Sequence, residues 1–103
     1  MDKQSIIQYT NTFNQIATYI EGDNHEQVEV WFARDLQPQL GYARWENFES
    51  AIHRAIDSCK SQNINVDDHF REVTKMITLG KGGQRDVKDY MLTRYACYLI
   101  AMN

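Results

Sequence analysis

Residues 70–91, FREVTKMITLGKGGQRDVKDYM, decide how the rest of the chain is read. Phe70, Val73 and Ile77 share a helical stripe, whereas Val73, Lys75, Ile77 and Leu79 share one face of a strand, so periodicity alone leaves the segment ambiguous. The next residues resolve it. Gly80-Lys81-Gly82-Gly83 puts three glycines in four positions, which suits a hairpin tip, and Gln84 to Met91 alternates well enough to return as a strand. The pattern predicts a hairpin over residues 76–91, with strands at Met76–Leu79 and Val87–Met91, preceded by a helical turn over Asp68–Lys75.

Working outward, Val28, Val30 and Phe32 alternate with Glu29 and Trp31, a short strand pattern. Ahead of it, Ile6, Ile7, Phe13, Ile16, Ala17 and Ile20 recur at helical spacing, and Gly22 stands where a C-cap glycine belongs. An N-terminal helix over 3–21 follows. After the strand, Ala33–Leu36 reads as a short helix with Pro38 near its end, and Leu40-Gly41-Tyr42 supplies a tight turn. Trp45, Phe48, Ala51, Ile52, Ala55, Ile56 and Cys59 then mark a long helix from Arg44 to Ser61. The two helices form a helix-turn-helix-like unit over 33–61. Thr93 caps a last helix over 93–102 that is apolar on nearly every side. Such a helix needs burial all round, so it is either the centre of the domain or the seat of a following segment or a second subunit. The expectation is an α+β domain spanning 1–103, mainly helical, with a helix-turn-helix-like pair and a small β-hairpin.

Composition narrows the function classes. A length of 103 residues with 43% apolar and 24% charged residues is ordinary for one globular domain. The longest apolar run, Tyr95–Met102, is far too short to span a bilayer, and the opening residues MDKQSIIQYTNTF lead us to expect no secretory signal. Cys59 and Cys97 lack CxxC spacing and fit a reduced, cytoplasmic protein. The net charge of −3 is unevenly spread. Residues 1–30 carry Lys3 against Asp2, Glu21, Asp23, Glu26 and Glu29. Residues 71–103 carry Arg71, Lys75, Lys81, Arg85, Lys88 and Arg94 against Glu72, Asp86 and Asp89, a local excess of three positive charges. An acidic whole argues against indiscriminate nucleic-acid binding, while the basic C-terminal third allows a local site.

The reactive side chains form no catalytic or metal pattern. His25, His53 and His69 are not spaced as ligands, and Asp67-Asp68-His69 is most simply a capping turn. Gly80–Gly83 lacks the GxxxxGK[ST] pattern of a phosphate loop, and no serine or cysteine nucleophile has a paired base. No enzyme, metal or cofactor is expected. The sharper reading of the glycine tip is a wing whose amides and Lys81 touch a phosphate backbone, with Arg85 and Lys88 behind it. Arg44 and Trp45 open the long helix, where a recognition helix presents its first turn to DNA. Glu46, Glu49 and Asp57 on that helix oppose this placement.

Three blocks, Trp31–Leu36 (WFARDL), Leu40–Tyr42 (LGY) and Trp45–Phe48 (WENF), resemble the opening of the BRO/antirepressor-type N-terminal domain. Ala55–Cys59, Asp68-His69-Phe70 and above all Leu92–Asn103 (LTRYACYLIAMN) resemble the DNA-damage-inducible protein D family. The resemblance covers residues 28–103. It implies a polypeptide that continues past Asn103, so the chain reads as a truncated member. It also implies a non-catalytic role in the bacterial SOS response, with DNA, a recombinase filament or a repressor as partner. Two mechanisms stand side by side: a DNA-contacting module using Arg44, Trp45, Lys81, Arg85 and Lys88, and a protein-interaction module that acts on a DNA-bound filament or a repressor. A third is a structural piece whose activity resides in the segment beyond Asn103.

Overall fold

A computed structural model describes residues 3–103. The elements run α1 (Lys3–Ile16), β1 (Thr18–Glu21), β2 (Gln27–Phe32), α2 (Ala33–Gln39), α3 (Trp45–Ser61), β3 (Phe70–Thr78), β4 (Gln84–Leu92) and α4 (Arg94–Met102), with 3-10 turns at Asp23–His25 and Val66–Asp68. The fold is α+β. Its strands form one antiparallel sheet in the order β1-β2-β4-β3.

Two local expectations are corrected. The first helix ends at Ile16 rather than 21, and Thr18-Tyr19-Ile20-Glu21 is a strand paired in register from Thr18↔Val30 to Glu21↔Gln27. β-Branched and aromatic side chains favour this pleated pairing, and a partner strand six residues downstream outweighs the helical spacing of Ile16 and Ile20. Gly22 is therefore no C-cap. Its φ is −94°, and what it supplies is space, since a Cβ there would lie 2.6 Å from Cγ2 of Val28. The second correction concerns Asp68–Lys75. The helical turn is confined to Val66–Asp68, where the Asn65 side chain accepts the Asp67 N–H at 3.1 Å, and the strand starts at Phe70. The hairpin is accordingly longer than 76–91, pairing Phe70↔Leu92 through Thr78↔Gln84. At its tip the Leu79 N–H donates to Gly83 O at 2.7 Å, and Gly82 takes φ +86°, a left-handed conformation that glycine adopts without penalty.

Register divides the sheet into two faces. Trp31, Phe70, Tyr90 and Leu92 share one, and they meet Phe13 of α1, Leu36 of α2, Phe48 and Ile52 of α3, and Cys97 and Ile100 of α4 in a single buried core. Phe13 packs edge-on against Trp31 and Tyr98, with ring centroids 6.3 and 5.1 Å apart, and its carbonyl accepts the Trp31 indole N–H at 2.9 Å. α4 lies at the centre of this packing. Ala96, Cys97 and Ile100 are buried, Tyr95, Tyr98, Leu99 and Ala101 are half-buried, and Met102 is left exposed. The core thus covers one side of α4 fully and its other apolar side chains in part. Thr93 Oγ1 caps it by accepting the Ala96 N–H at 3.2 Å, and also bonds His69 Nδ1 at 2.7 Å, tying the helix start to the entry of β3. The other sheet face carries Thr18, Ile20, Val28, Val30, Phe32, Val73, Asp89 and Met91, outside the main core.

Candidate nucleic-acid interface

The five residues singled out for DNA contact fall into two environments. Lys81 and Arg85 belong to the outer end of the hairpin, where every residue from Thr78 to Asp86 is exposed. Its cross-strand pairs run Met76↔Asp86, Ile77↔Arg85 and Thr78↔Gln84, and the large apolar side chains of Met76 and Leu79 are exposed there rather than packed on the core. Arg44 is exposed at the N-cap of α3, with extended backbone angles of φ −118° and ψ 134°.

Trp45 and Lys88 are committed to the fold. The Trp45 ring stacks near Tyr90, with centroids 6.4 Å apart, and lies 6.1 Å from Phe48. Its remaining face carries the Arg34 guanidinium, 4.1 Å from the ring centroid, at cation–π range. Lys88 places its Nζ 2.9 Å from Glu49 and 3.5 Å from Glu72, and 5.3 Å from the Tyr90 ring centroid. Contact with Tyr90 and with the Glu49 carboxylate raises the Lys88 pKa far above its ordinary value, while the Lys88 contact lowers that of Glu49.

Arg34, which the sequence reading passed over, connects these groups. Its Nε donates to the Lys88 carbonyl at 2.7 Å, and its backbone N–H donates to Asp89 Oδ1 at 3.0 Å. The signal for it was available in the WFARDL block, as a cation at a helix start that follows two aromatic residues. The arrangement Arg34–Trp45–Tyr90–Lys88 therefore joins α2, α3 and β4 and fixes the base of the hairpin. Trp45 and Lys88 meet there through Tyr90, whereas Lys81 and Arg85 remain at the free end. A rigid base with an exposed cationic tip can present charge to a polyanion without rearranging the core.

Among the described residues no group of histidine, cysteine and acidic side chains is placed to hold a metal, and no helix is long and apolar enough to cross a membrane. Both cysteines are buried and unpaired, and burial pushes each thiol up from its ordinary pKa.

Residues 20–103, from within β1 through α4, match the model described as "BRO family, N-terminal domain", and the chain belongs to this family. α1 lies outside the matched stretch. The chain is also similar to DNA damage-inducible protein D of Escherichia coli (strain K12), at 39% identity over 80 residues. That alignment covers 78% of this chain and 29% of the relative, so the chain spans less than a third of that protein's length. No solved structure matches it.

Proposed function

We infer that this domain is a non-catalytic module of a bacterial DNA-damage response that contacts the DNA backbone through its glycine-tipped hairpin. The observation that carries the mechanism is the exposure of Lys81 and Arg85 on a segment in which all nine residues from 78 to 86 face solvent. Neither side chain has an ion-pair partner among the described residues. Similarity to a damage-inducible protein and membership of the BRO family support the role, and the excess of basic residues in the C-terminal third supports the polyanionic partner. Arg44 is a further phosphate contact on this reading. Trp45 and Lys88 hold the base rather than touch DNA. The module acts in the cytoplasm, where its cysteines stay reduced.

The experiment is anisotropy of labelled single- and double-stranded DNA at about 50 and 200 mM salt, comparing the natural chain with the Lys81→Ala/Arg85→Ala double variant. Each lost phosphate contact lowers the slope of log K against log salt by about 0.9 on duplex and about 0.7 on single strands. The double variant should therefore flatten the slope by about 1.8 or about 1.4 respectively. An unchanged slope rejects hairpin contact. It would favour instead the protein-interaction reading, which the exposed carboxylate of Glu46 on α3 supports.

A further inference from the structure

Away from the hairpin tip, a cavity of about 330 Å³ opens on the second sheet face, lined by Thr18 of β1, Phe32, Asp35 of α2, Val73, Thr74 and Lys75 of β3, and Asp89 of β4. Val73 and Asp89 are cross-strand partners, so their side chains share this face. Asp89 is completely buried. Its Oδ1 accepts two backbone N–H groups, from Tyr90 at 2.8 Å and from Arg34 at 3.0 Å. Its Oδ2 is buried too, and no donor among the described residues reaches it, even though two threonines line the same cavity. Buried polar atoms in folded proteins nearly always have partners.

A structural duty explains only half of this carboxylate. Oδ1 alone receives both amide N–H groups, so Oδ2 is a second buried oxygen for which the fold supplies no donor among the described residues. The charges around the cavity indicate what Oδ2 faces. Lys75 Nζ pairs with Asp35 at 3.6 Å, so the side chains of Lys75 and Arg34 act on Asp89 only through space and neither donates to Oδ2. Phe32 and Val73 offer apolar surface beside it. The volume suits a small molecule, at the lower end of the range of ligand pockets.

We propose that this cavity binds a small organic cation of the alkylamine or alkylguanidine class, its N–H donors on Oδ2 of Asp89 and its alkyl part against Phe32 and Val73. The site is independent of the DNA reading, since neither Lys81 nor Arg85 lines it. A group bound there touches both α2 and the hairpin strands, the two elements that Arg34 joins.

The test is a titration of the isotopically labelled chain with n-butylguanidinium and n-butylammonium, followed by backbone amide NMR shifts, with neutral n-butylurea as the control. Saturable shifts clustered on Arg34, Val73, Thr74, Lys75 and Tyr90 are expected for the cations, with butylurea weaker. Asp89→Asn keeps an oxygen for the two backbone donors and replaces the acceptor with an amide, so it should weaken cation binding by about tenfold or more. Val73→Trp, which fills the cavity and retains Asp89, should abolish it and serves if the Asn variant does not fold. Absence of saturable shifts overturns the proposal. So do equal shifts with butylurea, and so does saturable binding that survives Val73→Trp.

Discussion

Nζ of Lys88 lies 2.9 Å from Oε2 of Glu49, so a hairpin cation is neutralised by a carboxylate of the long helix. This pair separates two cations that stand three positions apart in sequence: Arg85 is free at the tip, and Lys88 is spent on joining β4 to α3. It also accounts for Glu49 on a helix whose acidic residues would otherwise repel a phosphate backbone.

Lys88→Ala should therefore act on stability rather than on DNA. Two fifths of the Lys88 side chain is exposed, so solvent screening limits the loss to about 0.5–1 kcal/mol in urea denaturation. Its effect on the salt slope of DNA binding should be close to zero, in contrast to Lys81→Ala. A slope flattened as much by Lys88→Ala as by Lys81→Ala would mean that the Glu49 pair opens on DNA.

Asp89 makes a stronger demand on the fold. Asp89→Ala strips the acceptor from the Arg34 and Tyr90 amides and should cost about 2–6 kcal/mol, since each orphaned donor costs about 1–3 kcal/mol. Asp89→Asn keeps an oxygen for both and should stay within about 1 kcal/mol of the natural chain. Burial raises the Asp89 pKa in the folded state. Folding therefore favours its protonated form, and the contribution of this group falls as pH rises from the unfolded value through the raised folded one. The Asn variant should lack that decline, which urea midpoints between about pH 4 and 7 would show.

The parts legible in the sequence are those decided by local spacing. The three-four stripe from Trp45 to Cys59 and the Thr93 cap marked α3 and α4 to within a residue. Glycines marked the hairpin tip because a left-handed residue is needed there. β1 was hidden because Ile16 and Ile20 continue the helical spacing of α1, and only its pairing with residues 27–30 makes it a strand. The partition of the cations was hidden for the same reason. The sequence shows that residues 81, 85 and 88 are basic, but the carboxylate that claims Lys88 lies 39 positions earlier. Likewise the Asp89 partner on α2 is 55 residues away, so nothing near Asp89 announces a buried carboxylate.

Gly22→Ala tests the close approach between β1 and β2. Its backbone angles suit any residue, so the cost comes mainly from the 2.6 Å contact of the new Cβ with Val28, with Cγ and Oε1 of Glu26 next at 3.3 Å. Shifting Val28 or the strand to make room should cost about 1–3 kcal/mol, read as a lowered urea midpoint. Pairing the substitution with Val28→Ala should recover most of that loss, because the clashing methyl is then gone. Failure of the second change to restore stability would place the demand on Glu26 or the backbone of the turn instead.

The acid limb of stability should depend on Glu29. Arg94 grips this carboxylate with two nitrogens, Nε at 3.1 Å and Nη2 at 2.8 Å, and also lies 4.9 Å from the Trp31 ring centroid. That hydrogen bond lowers the Glu29 pKa below 4.5, so the folded state holds its charged form more firmly than the unfolded chain does. The stabilisation is complete above the unfolded value and disappears as pH falls through the lowered folded value. Glu29→Gln should thus lose about 1 kcal/mol at neutral pH, and the gap to the natural chain should close at lower pH. Urea denaturation at pH 7, 5, 4 and 3 measures it directly. A gap of the same size at every pH would show that Arg94 anchors β2 through packing on Trp31 rather than through the charge of Glu29.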